Sequence, residues 1–368
     1  MQEQTPTNSP DIRPTDEMPY KMSVLLRTML EQGASDLHLA AGRPPVYRLH
    51  GKLQDVEGPN LSPSFTQRLV YSVLSDVQKR IFEERHDLDF ALGISGLGRF
   101  RVNVHMQRGT VAAAFRAIPQ HIKTFEELHL PREVLSMLCM RPVGFILVTG
   151  PTGSGKSTTL ASMLSYINLN VDKHIITVED PIEYLHPHQK SLVEQREVHE
   201  DTESFSEALK YALRQDPDIL MIGEMRDMET IQAALTAAET GHLVFSTLHT
   251  PDVVQTCDRI IDVFPPHQQE QVRVQLAGVL EGILAQKLVP SLYGGRECAL
   301  EILLATDAVR NQLRENMTPQ LYSTIQANLK LGMMTMDRSL LNLYQMGRIS
   351  KQVMLANAKK PDDILTRA

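Results

Sequence analysis

A chain of 368 residues is longer than one ordinary small domain, and at ~150 residues per domain two are expected. Its composition, 42% hydrophobic and 22% charged, excludes a chain disordered throughout. The 37 Lys and Arg against 44 Asp and Glu give a net charge of −7, which argues against a general nucleic-acid binder.

Residues 1–19 carry Pro6, Pro10, Pro14 and Pro19 with no apolar periodicity and read as a disordered tail. Residues 20–118 read as a small α+β domain. Met22, Leu25, Leu26, Met29 and Leu30 recur at helical spacing, with Gly33 as a stop. Short strands are expected at 36–40 and 46–49, a second amphipathic helix at 64–84, and strands at 89–94 and 99–118. In the last of these, Phe100, Val102, Val104 and Met106 alternate with Arg99, Arg101, Asn103 and His105. That period places the first set in the core and the second on the open face. Residues 119–131, between two prolines, read as a linker.

From about residue 140 strands alternate with helices. Strands are expected at 144–149, 175–178, 219–222 and 243–248. Helices are expected at 157–167, from a Ser204–Glu207 capping box to Arg214, and at 230–240 before Gly241. This alternation implies a parallel sheet with helices on both faces. Val272, Leu276, Val279, Leu280, Ile283 and Leu284 mark a long amphipathic helix, and the last eighty residues read as mostly helical. The three cysteines, Cys139, Cys257 and Cys298, are far apart, which excludes a cysteine-rich zinc module and fits a reducing cytoplasm. No apolar run approaches the ~20 residues of a membrane span, and no signal peptide is expected.

The stretch Gly150-Pro151-Thr152-Gly153-Ser154-Gly155-Lys156-Ser157 matches G-x-x-x-x-G-K-[ST] in full, between an expected strand and an expected helix that also holds Thr158. Glycines let backbone N–H groups converge on phosphates, and the helix N-terminus adds positive potential. Lys156 can reach the β- and γ-phosphates of ATP, and Ser157 can ligate Mg²⁺. Residues 218–224 form a buried strand ending in Gly223-Glu224, without the usual strand-end aspartate. Glu224 is therefore the candidate base for the attacking water. The stretch ITVEDPIE ends another strand in acids; Glu179 is a candidate to hold Mg²⁺ and Glu183 to position the nucleophile. His242 and His249 flank the strand 243–248. His242 is a candidate nucleotide-binding residue and His249 a candidate catalytic one; either can sense the γ-phosphate while the other is structural.

With these motifs in this order, together with ILMIGEMRD and AETGHLVFSTLHT, the chain resembles the secretion ATPases of type II secretion and type IV pili. The resemblance covers residues 20–360. The stretches GASDLHLAAGRPP, FRVNVHMQRG and AVRNQLRE (308–315) resemble the pilus-retraction branch, although Gln312 replaces an apolar residue there. Extension and type II secretion members usually add a large N-terminal region and a four-cysteine motif, which this chain lacks.

The resemblance implies a PAS-like domain at 20–118, followed by a RecA-like P-loop ATPase domain with C-terminal helices at 132–368. It implies a homohexamer in which Arg99, Arg101 and Arg116 reach a neighbour's phosphates, as suits arginine's planar fork. It further implies a cytoplasmic protein peripheral to the inner membrane, an inner-membrane pilus platform protein (PilC-like) as partner, a PilU-like accessory paralogue, and no nucleic acid. In segment 308–315, Ala308, Val309 and Leu313 are expected to pack, leaving Arg310, Asn311, Arg314 and Glu315 for a partner. The rival readings are an extension or secretion motor, a nucleic-acid translocase, and a ring that binds ATP without turnover.

Overall fold

The computed structural model describes residues 19–365 apart from His50 and Gln120. The expected tail lies outside these residues except at Pro19. The chain divides into two compact units between Pro119 and Gln120.

The first unit opens with α1 (Met22–Glu31), which buries Met22, Leu25, Leu26 and Met29, and the chain turns at Gly33 with φ 68°. Strands β1 (Asp36–Leu39), β2 (Val46–Leu49) and β3 (Lys52–Asp55) follow. Helices α2 (Pro63–Tyr71) and α3 (Asp76–Arg85) then precede β4 (Asp87–Ile94), β5 (Gly98–Gln107) and β6 (Thr110–Ala117). The six strands form one antiparallel sheet in the order β3-β2-β1-β6-β5-β4.

Three expectations need correction here. The single helix at 64–84 is two helices, because Ser75 and Gln78 form a reciprocal capping box that starts α3 afresh. The single strand at 99–118 is a hairpin: Arg108 (φ 49°) and Gly109 (φ 73°) both take the left-handed conformation that a tight two-residue turn requires. Met106, beside that turn, is exposed rather than in the core.

In the second unit α4 (Arg132–Cys139), β7 (Gly144–Thr149), α5 (Lys156–Asn170), β8 (His174–Glu179) and β9 (Leu192–Glu197) come first. They are followed by α6 (Phe205–Ala212), β10 (Ile219–Ile222), α7 (Met228–Glu239), β11 (Leu243–Leu248), α8 (Val253–Asp262) and α9 (Pro266–Val279). The hairpin β12 (Leu280–Pro290) and β13 (Arg296–Leu304) precedes α10 (Asp307–Arg314), α11 (Leu321–Ala327), α12 (Met336–Gln345), α13 (Lys351–Asn357) and α14 (Pro361–Leu365). The sheet runs β13-β12-β7-β11-β10-β8-β9, parallel throughout except for β12–β13. Every residue of β7, β10 and β11 is buried, the pattern of central parallel strands. Of the segment 119–131, Phe125 and Leu130 are buried in this unit's core.

The expected helix across 272–284 ends at Val279, and Leu280, Ile283 and Leu284 belong to β12. A short apolar run cannot declare its own period, and here it pairs with β7. The last eighty residues accordingly open with strand β13 before turning helical. The C-terminal helices close a small core of Met336, Leu340, Ile349, Met354 and Ile364 over Val289 and Ala299 of that hairpin.

In α10, Val309 and Leu313 are buried as expected, but Ala308 is exposed. Arg310 is not free for a partner. Its Nη1 donates to the carbonyls of Ala277 (2.8 Å) and Gly278 (2.9 Å) at the end of α9, and its Nη2 to Glu281 Oε1 (2.7 Å).

Candidate nucleotide-binding site

The site stands at the carboxyl edge of the parallel strands. Thr149 pairs with Leu248, Ser246 with Ile222, and Ile222 with Val178. The residues just beyond, Gly150, His249, Gly223-Glu224 and Asp180, are therefore brought together by register alone. Ligands bind at this edge in open α/β sheets.

Gly150, Gly153 and Gly155 all have positive φ (144°, 77° and 89°), a conformation that L side chains rarely adopt. At Gly150 space also forbids a side chain: a Cβ there would lie 2.4 Å from Gln286 O and 2.6 Å from Ser154 Oγ. Pro151, Thr152 and Gly153 form the exposed crest of the loop. Gly155 starts α5, whose first turn presents Lys156, the half-buried Ser157 and Thr158. The Thr158 hydroxyl pairs with Tyr184 OH at 2.9 Å, a contact that spacing could not reveal.

Lys156 is buried, and its Nζ donates to the carbonyls of Gly150 (2.9 Å) and Pro151 (3.2 Å). Burial pushes its ammonium below the usual lysine range, while the charges of Glu224 and Glu183 oppose that shift. Both carboxylates therefore lie near enough to the loop to act on the Lys156 charge. Glu224 Oε1 pairs with Arg226 Nη2 at 2.6 Å, and its Oε2 lies 3.2 Å from His249 Nε2. Arg226 lies in the ILMIGEMRD stretch, where spacing alone assigns it no role.

Gly223 stands where the strand-end aspartate is missing, and the backbone passes close there. A Cβ on Gly223 would approach Glu179 Cα and Val178 O to 3.3 Å. The bend is further held by Thr247, whose hydroxyl donates to Gly223 O at 2.6 Å and whose carbonyl accepts from Met225 N at 3.2 Å.

Two expected site residues are placed elsewhere. Glu179 turns inward: its Oε1 accepts from Thr177 Oγ1 (2.7 Å) and Gln195 Nε2 (3.0 Å), and its Oε2 from Glu183 N (3.4 Å). Burial raises its carboxyl above the ordinary range. Its oxygens are thus engaged within the protein rather than turned toward the loop. His242 lies at the opposite end of β11, since Leu243 pairs with Gly144 at the start of β7, and its Nδ1 lies 2.9 Å from Ala237 O. That contact closes the end of α7 and leaves the nucleotide edge to His249. Glu183 is exposed beside the loop.

Arg99, Arg101 and Arg116 belong to the first unit. Arg101 and Arg116 face each other across β5–β6, and Arg116 Nε donates to Asp36 Oδ1 at 2.8 Å. Arg101 is exposed and has no ionic partner among the described residues, whereas Arg99 is half-buried. Among the described residues no group of three or more His, Cys, Asp and Glu could hold a metal, and no helix is long and apolar enough to cross a membrane.

The profile of the Type II/IV secretion system protein family matches residues 17–323. The chain is 48% identical to the Type IV pilus retractation ATPase PilT of Pseudomonas aeruginosa, over 92% of this chain and 98% of that one. It is 43% identical to the Type IV pilus ATPase PilU of the same organism, over 92% of this chain and 89% of that one. A crystal structure of the pilus retraction motor PilT with bound ADP superposes with a TM-score of 0.89 at 50% identity, covering 95% of this chain and all of the other. With a full-length relative at this identity and a family profile spanning most of its residues, the chain belongs to the type II/IV secretion ATPase family.

Proposed function

We infer that this chain is the ATPase motor of type IV pilus retraction, the process behind twitching motility. The observation that carries the reading is the convergence of Lys156, Glu224 and His249 behind a complete phosphate loop, in a chain closely similar to a retraction ATPase over nearly its whole length.

The chemistry follows from the placement. Backbone N–H groups of residues 150–157 and the Lys156 ammonium bind the phosphates. Glu224 takes a proton from a water whose oxygen bonds to the γ-phosphorus. The bond from that phosphorus to the β,γ-bridging oxygen breaks, leaving ADP and phosphate. His249 and Arg226 hold the Glu224 carboxylate in place, and Glu183 is the second candidate base. Ser157 is the residue that would hold Mg²⁺, which neutralises charge on the phosphates. The single hydroxyl of Ser157, half-buried in the first turn of α5, fits an ion that keeps its waters and binds mainly through substrate phosphates.

The exposed Arg101, with Arg99 and Arg116, serves a neighbouring subunit's phosphates in a homohexameric ring. The antiparallel sheet unit is the PAS-like domain, and the parallel-sheet unit is the RecA-like motor. The ring docks on an inner-membrane platform protein of the PilC kind, peripheral to the membrane. The similarity to PilU keeps an accessory retraction motor as the second reading. Deleting the gene tests both against an extension motor. Loss of a retraction motor leaves cells hyperpiliated and non-motile, whereas bare cells would contradict the proposal.

A further inference from the structure

We propose that Gln286 is a positioning residue for the phosphate loop, holding the Ser154 carbonyl so that the Gly155 N–H is aimed at phosphate. The inference rests on the reading of that loop as a nucleotide site. Strand β12 runs beside β7 with Ala285 paired to Thr149, which brings Gln286 next to Gly150. Its backbone carbonyl is the atom that excludes a side chain at Gly150. Its own side chain is 1% exposed, with Nε2 3.5 Å from Ser154 O and 3.2 Å from Cys298 Sγ. Further along the hairpin, Arg296 Nη1 lies 3.4 Å from Gly153 O. The hairpin therefore floors the loop over consecutive residues.

Gln286 is a poor choice for the fold alone. Its Oε1 is buried without a hydrogen-bond partner, and a buried acceptor left so is destabilising. Reversing the amide would set Oε1 against the Ser154 carbonyl, acceptor against acceptor, so the donor must face the loop. The Ser154 hydroxyl is itself buried and unpartnered, so it does not fix this turn. In a trans peptide the Ser154 C=O and the Gly155 N–H point in opposite directions. A donor beneath the carbonyl therefore turns the N–H toward the loop's open side, at the N-terminus of α5, where a phosphate is bound.

The test uses the full-length protein with Gln286→Met, which keeps volume and removes the amide. ADP binding should weaken about tenfold, the equivalent of ~1.4 kcal/mol, with AMP binding much less affected. KM for ATP should rise by more than kcat falls. Melting without nucleotide should stay level or rise, because the orphaned Oε1 is gone. Unchanged ADP affinity would overturn the proposal. So would a lowered melting point with ADP and AMP weakened alike, which marks a packing residue. If the methionine variant does not fold, Gln286→Glu decides by the same ADP-to-AMP comparison, because it keeps the shape and sets an acceptor against Ser154 O. Lys156→Ala separates the two levels of failure: if it too leaves ADP binding intact, the phosphate reading itself is wrong.

Discussion

Glu224 is gripped from two sides, by Arg226 at 2.6 Å and His249 at 3.2 Å. As the proposed base, it would keep its orientation without being sealed from water. Three residues away in sequence from exposed Glu183, His186 shows how the same loop treats a buried group: desolvation pushes its imidazole down to about 4. A base whose folded value lies below its ordinary 6.5 contributes stability that is complete above that value and is lost as pH falls toward 4. We expect unfolding free energy to fall by about 2 kcal/mol between pH 7.5 and 5 through this residue. Denaturant titration of His186→Gln at both pH values should show a loss smaller by that amount. An identical loss in the two proteins would contradict the assignment.

At the scale of elements, α10 is tied down by its own arginine. Arg310 closes the carbonyl end of α9 and pairs with Glu281, which also pairs with Arg141 at 3.0 Å. Arg310→Ala should destabilise the protein by about 2 kcal/mol, because a half-buried carboxylate and two helix-end carbonyls lose their donor. The exposed Arg314→Ala should stay within about 0.5 kcal/mol. Thermal melts of the two variants side by side check this, and equal melting points would refute the clamp. From sequence the segment looked like a free coupling helix, because spacing shows which face is polar but not which polar group already has a partner. The same limit explains the other differences. The strands 46–49, 144–149, 219–222 and 243–248 were legible because apolar runs there end at turn or loop residues. The β5–β6 hairpin was not, because its apolar alternation runs on almost to an Arg-Gly turn. β12 was hidden because Leu280, Ile283 and Leu284 continue the stripe of α9 into a strand. In the site, the places of the glycine loop before α5 and of Glu224 just beyond β10 were readable from spacing. The inward turn of Glu179 was not, since it depends on Thr177 and Gln195 rather than on the motif.

At the scale of the whole molecule, the first unit carries exposed Arg101 and Arg116 on paired strands, and the second carries the glycine-rich loop 150–157. In the proposed homohexamer, the arginines of one subunit would serve the phosphate loop of the next. Arg101→Ala and Lys156→Ala should each abolish ATP hydrolysis alone, yet mixed and reassembled they should recover part of it, since some interfaces then combine an intact loop with an intact arginine. A fully active monomer on size exclusion would rule the shared site out. The most direct measurement is pilus retraction in cells whose only copy carries Glu224→Gln, a change that spares the phosphate loop and removes the base. The protein should bind ATP without hydrolysing it, and pili should extend, accumulate and fail to retract; retraction at the normal rate would show that hydrolysis at Glu224 does not drive the motor.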